Sequence, residues 1–462
     1  MKCFESQSTQ INCLPNVFVG LLAAAVMVLS PVLVSADELP PHMMELEAAL
    51  SHQKVMIGES QEIYAVIDLE AQEVEVDERP PMNLALVIDR SGSMRGDRIR
   101  QARKAALHVV ESLDDGDRLA LVTYGTDHTV EFDSTLATEA NREKMKKVIR
   151  DIHAQGGTNL SAGYNAGTEI VKKHHDYDAI NRVLMLSDGK ANRGITEPDR
   201  LRSLSRQAFD DGISTTTIGF GLDYNERLMT GMAVEGSGNY LFADDSDDLG
   251  AMMGAEMAGL SATVANRIEV LIDPGPGVEV AEVLGFSHRF RDGKTVVSVS
   301  ELGAGQSRSV VVRLNAVPHR PDRMDVLTVR ANYRDAVNDR HRYRRQSLGA
   351  DITEVASEVE NSVDRDVIAR VEEVRLAQSM DEAMEAYTSG DRERAQGVLQ
   401  RESARSRQVQ EQYDIDSDRL RQMDDNFGRA GSTVQDAPAE SEEGRRMRME
   451  SSEDSFDILL SR

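Results

Sequence analysis

Between Leu84 and Leu260, apolar runs of strand length alternate with stretches of helical period, and few architectures tolerate that alternation. Leu84–Asp89 (LALVID), Arg118–Tyr124 (RLALVTY), Val183–Ser187 (VLMLS), Ser214–Phe220 (STTTIGF) and the short Tyr240–Ala243 read as strands. Arg98–Leu113 has helical spacing, with Ala102, Ala105, Ala106, Val109 and Val110 on one side. Asn141–Ile152, Leu160–His175, Pro198–Asp211 and Asp248–Leu260 read as further helices. A strand that is apolar throughout must be covered on both faces, and crossover helices cover a parallel sheet in that way. Residues 82–260 are therefore expected to form one doubly wound, Rossmann-like α/β domain.

After Ser261 the helical period stops. Arg267–Asp273, Glu279–Leu284, Thr295–Glu301, Arg308–Ala316 and Asp325–Tyr333 are short strands broken by Gly, Pro and Asp, so residues 261–350 read as an all-β sandwich. The segment 37–81 holds one strand, Gln61–Leu69 (QEIYAVIDL), with no partner of its own. It is expected to pair with the later module, so that the α/β domain is inserted in the sandwich rather than only followed by it. Residues 351–428 turn helical and charged. Ala383–Tyr387 runs into Ser389-Gly390-Asp391 and on to Ala395 and Leu399, a helical hairpin with a Gly turn, loosely like half a tetratricopeptide repeat. The tail 429–462, rich in Ser, Glu and Arg, is expected to be disordered.

The N-terminus reads as an export signal. Phe18 to Val34 is almost wholly apolar and ends at Val34-Ser35-Ala36, a small-residue cleavage site before Asp37. Residues 1–36 are thus expected to be a signal peptide and the chain to be exported: periplasmic, cell-surface or secreted. The alternative is an uncleaved N-terminal anchor, the one route to membrane contact. Both cysteines, Cys3 and Cys13, lie in this leader, which leaves no disulfide framework, zinc-thiolate site or cysteine nucleophile beyond it. A net charge of −26 disfavours nucleic acid and anionic lipid as partners.

The chemistry concentrates at Leu84–Met94 (LALVIDRSGSM). An apolar strand ends in Asp89, and Ser91 and Ser93 follow at alternate positions, with Gly92 free to turn tightly between them. Ligands in doubly wound sheets bind at the carboxyl ends of the strands. Thr158, in Gly156-Gly157-Thr158-Asn159, opens a helix, and Asp188, in Leu186-Ser187-Asp188-Gly189, closes a strand. Taken singly, each of these reads as a turn or a helix cap. Their joint order and strand-loop context point to a ligand site, and hard divalent cations take oxygen donors of this kind.

Asp89, Ser91, Ser93, Thr158 and Asp188 resemble the metal-ion-dependent adhesion site (MIDAS) of von Willebrand factor type A (VWA) domains, and the resemblance covers about Met82 to Leu260. It implies that Ser91, Ser93 and Thr158 bind Mg²⁺ (or Mn²⁺ or Ca²⁺) directly, that Asp89 and Asp188 act partly through water, and that a partner protein's Asp or Glu carboxylate takes the remaining position. Arg90 departs from the family, which has a small or apolar residue there, and would alter the charge near the site. The wider layout resembles exported bacterial VWA proteins related to inter-alpha-trypsin inhibitor heavy chains, and also calcium-activated chloride channel regulators. It implies adhesion or envelope assembly by metal-dependent protein binding. No His-Glu-x-x-His, Walker motif or general base pair accompanies the site, so an enzyme is not expected. The alternatives are an accessory subunit of an enzyme or metal-insertion complex, and a mechanical scaffold with a structural metal. Asp414-x-Asp416-x-Asp418 lacks the Gly of a calcium loop, with Arg419 in its place.

Overall fold

The computed structural model describes residues 41–76, 79–244, 249–318 and 323–460. The expected leader and its cleavage site lie outside the described residues. Among those residues no helix is long and apolar enough to cross a membrane.

Three strands, β1 (Met44–Leu50), β2 (Lys54–Met56) and β3 (Gln61–Ala71), come first. The α/β domain then runs β4 (Met82–Asp89), α1 (Asp97–Glu111), β5 (Arg118–Tyr124), β6 (His128–Leu136), α2 (Glu139–Arg150), α3 (Leu160–Lys173), β7 (Ile180–Ser187), α4 (Pro198–Asp210), β8 (Ser214–Phe220), α5 (Glu226–Glu235), β9 (Ser237–Ala243) and α6 (Leu249–Ser261). Its sheet has the order β6-β5-β4-β7-β8-β9 and is parallel except for β6. Strands β4, β7 and β8 are buried at every position, as central strands of a parallel sheet covered on both faces must be. Alternate residues of β4 serve the two faces: Leu84, Leu86 and Ile88 meet α1 and α6, while Ala85 and Val87 meet the side covered by α3 and α5. The sequence reading missed β6, a polar edge strand with no buried position, and α5.

The sandwich comprises β10 (Thr263–Pro274), β11 (Val278–Leu284), β12 (His288–Arg291), β13 (Lys294–Gly303), β14 (Ser307–Ala316), β15 (Met324–Asp335) and β16 (Arg340–Thr353), together with the first three strands. One sheet has the order β1-β3-β14-β11, the other β12-β13-β10-β15-β16-β2, and their inner faces share one core. Strand β3 pairs with β14 from Gln61↔Ala316 to Ser307↔Glu70. The strand that precedes the α/β domain thus belongs to the sheet that follows it, and the domain is inserted between β3 and β10.

The helical region is α7 (Ala356–Glu360), α8 (Arg365–Thr388), α9 (Arg392–Tyr413), α10 (Asp418–Asp436) and α11 (Glu442–Leu460). Helix α8 covers the outer face of β3 and β14, where Tyr64, Val66 and Val311 join Val367, Val371 and Val374. The expectation of a disordered tail is corrected: α10 continues to Asp436, and α11 docks on the α/β domain. Met449, Phe456 and Leu460 recur at helical spacing and enter the core that holds Tyr240 and Phe242. The Phe456 ring meets Tyr240 edge-on at 6.0 Å, and Arg448 Nη1 lies 2.6 Å from Glu226 Oε1 in a buried pair. Each such apolar side chain contributes about 1.5–3 kcal/mol by its burial. Composition averaged over the tail conceals these few well-spaced anchors.

Candidate metal centre

Strands β4 and β7 lie side by side in parallel, with Ile88 level with Leu186. The chain leaves β4 for β5 on one flank and later fills β7 on the other, so loops diverge between β4 and β7 and open a crevice at their carboxyl ends. Asp89 closes β4, and Asp188 is the first residue past β7. A single 3₁₀ turn, Gly92–Met94, follows Asp89. Gly92 N donates to Gly156 O at 3.0 Å, which ties this turn to the loop that carries Thr158. That loop is fixed in turn by Asn159, whose side chain caps α3 by accepting from Ala162 N.

The five side chains singled out by the sequence come together here. Ser91 N donates to Asp89 Oδ1 at 2.7 Å. Ser91 Oγ and Ser93 Oγ are 2.9 Å apart, and Ser93 Oγ donates to Asp188 Oδ1 at 2.7 Å. A Cβ on Gly189 would lie 3.3 Å from Ser93 Oγ and 3.8 Å from Thr158 Oγ1, so glycine at this position leaves the space between the hydroxyls open. Asp89, Ser91, Thr158 and Asp188 are buried, whereas Ser93 is exposed and marks the mouth.

Two carboxyl groups withdrawn from water at one point raise each other's cost of ionisation. Burial, and then the charge of Asp188, push the Asp89 carboxyl up to about 7. Burial also raises Asp188, against the opposing pull of the Ser93 hydroxyl and the Arg98 guanidinium. A cation between them would offset this cost, so the residues present fit a divalent ion. Among the described residues, no group of three or more His, Cys, Asp or Glu gathers for metal binding. An ion here would therefore depend on hydroxyl donors, a set suited to hard cations.

Three residues around the site were not singled out from sequence. Ser187 Oγ donates to Asp89 Oδ2 at 3.1 Å, Asn192 Oδ1 accepts from Thr158 N at 3.0 Å, and Arg98 Nη1 sits 3.2 Å from Asp188 Oδ2. Only Ser187, beside Asp188 in the chain, carried a local signal. The Arg90 guanidinium reaches Thr123 and Thr129 on β5 and β6, while Arg98 is the cation that touches Asp188. In the discounted acidic run, Asp416 and Asp418 pair with Arg421, and Asp414 ends α9 in the left-handed region.

Comparison with known proteins agrees with this architecture. Residues 83–255 match the family model of the von Willebrand factor type A domain, so the chain carries a VWA domain. Domains of this family mediate protein–protein interaction. The chain is 28% identical over 257 residues to the uncharacterized protein YfbK of Escherichia coli K12, covering 54% of this chain and 44% of that protein. It is 29% identical over 232 residues to inter-alpha-trypsin inhibitor heavy chain H3 of Mus musculus, covering 48% of this chain and 25% of that one. The chain thus spans less than half the length of these relatives. Among solved structures, the von Willebrand factor type A protein of Catenulispora acidiphila superposes with a TM-score of 0.70 at 17% identity, over 88% of this chain and 96% of that one. The ArnB paralog VWA2 of Sulfolobus acidocaldarius gives a TM-score of 0.64 at 17% identity, over 91% of this chain and 98% of that one. At this identity the likeness speaks for the fold alone.

Proposed function

From the premise that residues 83–255 form a von Willebrand factor type A domain, we propose that this protein binds a partner protein through a divalent cation at the β4–β7 crevice. Ser91, Ser93 and Thr158 would hold the ion directly, and Asp89 and Asp188 would support it from behind. Mg²⁺ suits this small all-oxygen set, with Mn²⁺ or Ca²⁺ as alternatives. When bound, the ion supplies a positive charge with an open coordination position, which an Asp or Glu carboxylate of the partner fills. The remaining work falls to the chain's own residues. Ser187 and the Ser91 amide orient Asp89, Asn192 fixes the Thr158 loop, and Arg98 holds one oxygen of Asp188.

The observation that carries this reading is the convergence of five oxygen-bearing side chains, two of them buried carboxyls, at one switch point of the sheet. The hydroxyls and carboxyls of the site bond one another and Arg98, and we read it as a binding module and not as an enzyme. The apolar stretch Phe18–Val34 before Val34-Ser35-Ala36 supports action outside the cytoplasm. The deciding experiment is a pull-down from envelope extract with wild type and Asp89→Ala, each in Mg²⁺ and in EDTA. A partner retained only by wild type in Mg²⁺ is the expected result. The same partners in every lane would overturn the proposal and favour a structural ion.

A further inference from the structure

A cleft of about 890 Å³ lies where the insertion meets the sandwich, at the opposite end of β7 from the site above. One wall is the β10-β15-β16 face, and the other includes Ala179–Asn181 and Phe209–Asp210 of the α/β domain. Its chemistry runs against that of the chain. The protein has a net charge of −26, yet β16 opens with Arg340-His341-Arg342-Tyr343-Arg344-Arg345. Arg330 on β15 lies directly opposite Arg345 on β16, and both are exposed. Like charges placed opposite each other in a ladder are destabilising, and a bound anion would offset that cost.

Two further features point into this cleft. The β10–β15 register slips between Asn266 and Glu269, and in that bulge Arg267 adopts φ 55°, a left-handed conformation that a non-glycine residue holds at a cost. The bulge sends the Arg267 guanidinium across to the α/β domain, 5.0 Å over the Tyr177 ring. Beside it, Asn266 is 4% exposed and lines the cleft, and its Oδ1 has no hydrogen-bond partner among the described residues. Arg342, with Nε 2.9 Å from Asp335, likewise leaves Nη2 buried without an acceptor. The acids on the walls are largely answered: Glu269 pairs with Arg289 and Arg291, and Glu301 with Arg182. Arg267 and Arg330 meet no carboxylate among the described residues; Arg330 stacks on Tyr343 at 4.2 Å.

We propose that this cleft is a second binding site, independent of the metal centre, that takes an extended acidic peptide segment. Guanidinium forks match carboxylates in two-point geometry. The unpartnered Asn266 Oδ1 offers an acceptor for a backbone N–H, which favours a polypeptide over a sulfated glycan. The volume suits several residues rather than a single anion.

The test is a fluorescence-anisotropy titration of the full protein, in EDTA and low salt, with a labelled Glu- and Asp-rich peptide. Wild type is expected to bind saturably. The double reversal Arg267→Glu/Arg330→Glu should weaken binding by about tenfold or more while the protein stays folded, because both arginines are exposed. Binding in EDTA, which leaves the metal centre without an ion, separates this site from it. Three outcomes would overturn the proposal. They are no saturable binding by wild type, equal binding of a Gln and Asn analogue of the peptide, and undiminished binding by the double reversal. If the reversal unfolds the protein, Arg330→Gln alone carries the test, with a smaller loss expected and no loss overturning it. A sulfated oligosaccharide that binds more tightly than the peptide, with the same dependence on arginine, would also overturn it and assign the cleft to a glycan.

Discussion

Arg182 Nη1 donates to Glu256 Oε1 at 2.9 Å, and the Arg182 side chain is fully shut off from water. The same guanidinium donates to Ser214 Oγ and Thr216 Oγ1, both at 2.9 Å, and pairs with Glu301 on β13. One side chain on β7 thus joins the strand that leads to Asp188 to the last helix of the insertion and to the sandwich. A buried ion pair is weak evidence for net stability, but its geometry sets which parts must move together.

Removing Arg182 takes a buried cation away from Glu256 and from the partly buried Glu301. Arg182→Leu is expected to lower unfolding stability by about 3–5 kcal/mol, the cost of an uncompensated buried charge. Chemical denaturation reads this directly. A loss within a few tenths of a kcal/mol would mean that water reaches both carboxylates and that the junction is looser than its burial indicates.

At the candidate metal centre, wild type should melt at a higher temperature in Mg²⁺ than in EDTA, because only the folded chain holds the ion. At a hundred times Kd the gain is about 2.7 kcal/mol. Asp188→Ala should abolish this gain. Asp89→Asn should abolish it too, yet melt above wild type in EDTA, since it removes one of two adjoining buried carboxyls. An Asp89→Asn protein that still gains stability from Mg²⁺ would remove Asp89 from the ion's surroundings.

Much of this site was legible because the strand that positions it is legible. LALVID is apolar to its last residue but one, so Asp89 could only stand at a carboxyl edge. Thr158 and Asp188 were legible through their own loop signatures. Arg98 and Asn192 were not, because each reaches the site from another loop or helix across a sequence gap that no local pattern spans. The same limit hid β6 and β16: their residues are largely exposed, so alternation of burial leaves little apolar trace. The tail failed for the opposite reason. Three anchors on α11 decide its fate, and composition counts them equally with the charges around them.

Arg98 makes a separate prediction. Its guanidinium holds Asp188 Oδ2 at 3.2 Å and also lies 3.6 Å from Asp223, which Arg445 of α11 approaches at 2.5 Å. A fixed positive charge on a supporting carboxylate opposes an incoming cation. Arg98→Gln is expected to tighten Mg²⁺ binding by about threefold to tenfold, within the range of a partly screened charge contact. Titration calorimetry measures it. Weaker binding in the variant would show instead that Arg98 is needed to aim Asp188.

The helical region supplies a pH dependence that is independent of the ion. Asp381 on α8 is pushed up to about 7 by burial, against the weaker pull of the Ser455 hydroxyl and the Arg227 charge. An unfolded aspartate titrates near about 3.9. Between these values the folded chain keeps a proton that the unfolded chain has released, so stability falls as pH rises from about 4 to about 7. This is the reverse of a salt-bridged carboxylate, whose contribution is lost on acidification. Asp381→Asn has no proton to lose and should flatten the decline, melting above wild type at neutral pH and close to it near pH 4. Melting curves across that window in EDTA test the assignment. Parallel pH profiles for variant and wild type would show that solvent reaches Asp381 and that α11 packs less closely on α8 than Ser455, which donates to Ala377 O at 3.2 Å, indicates.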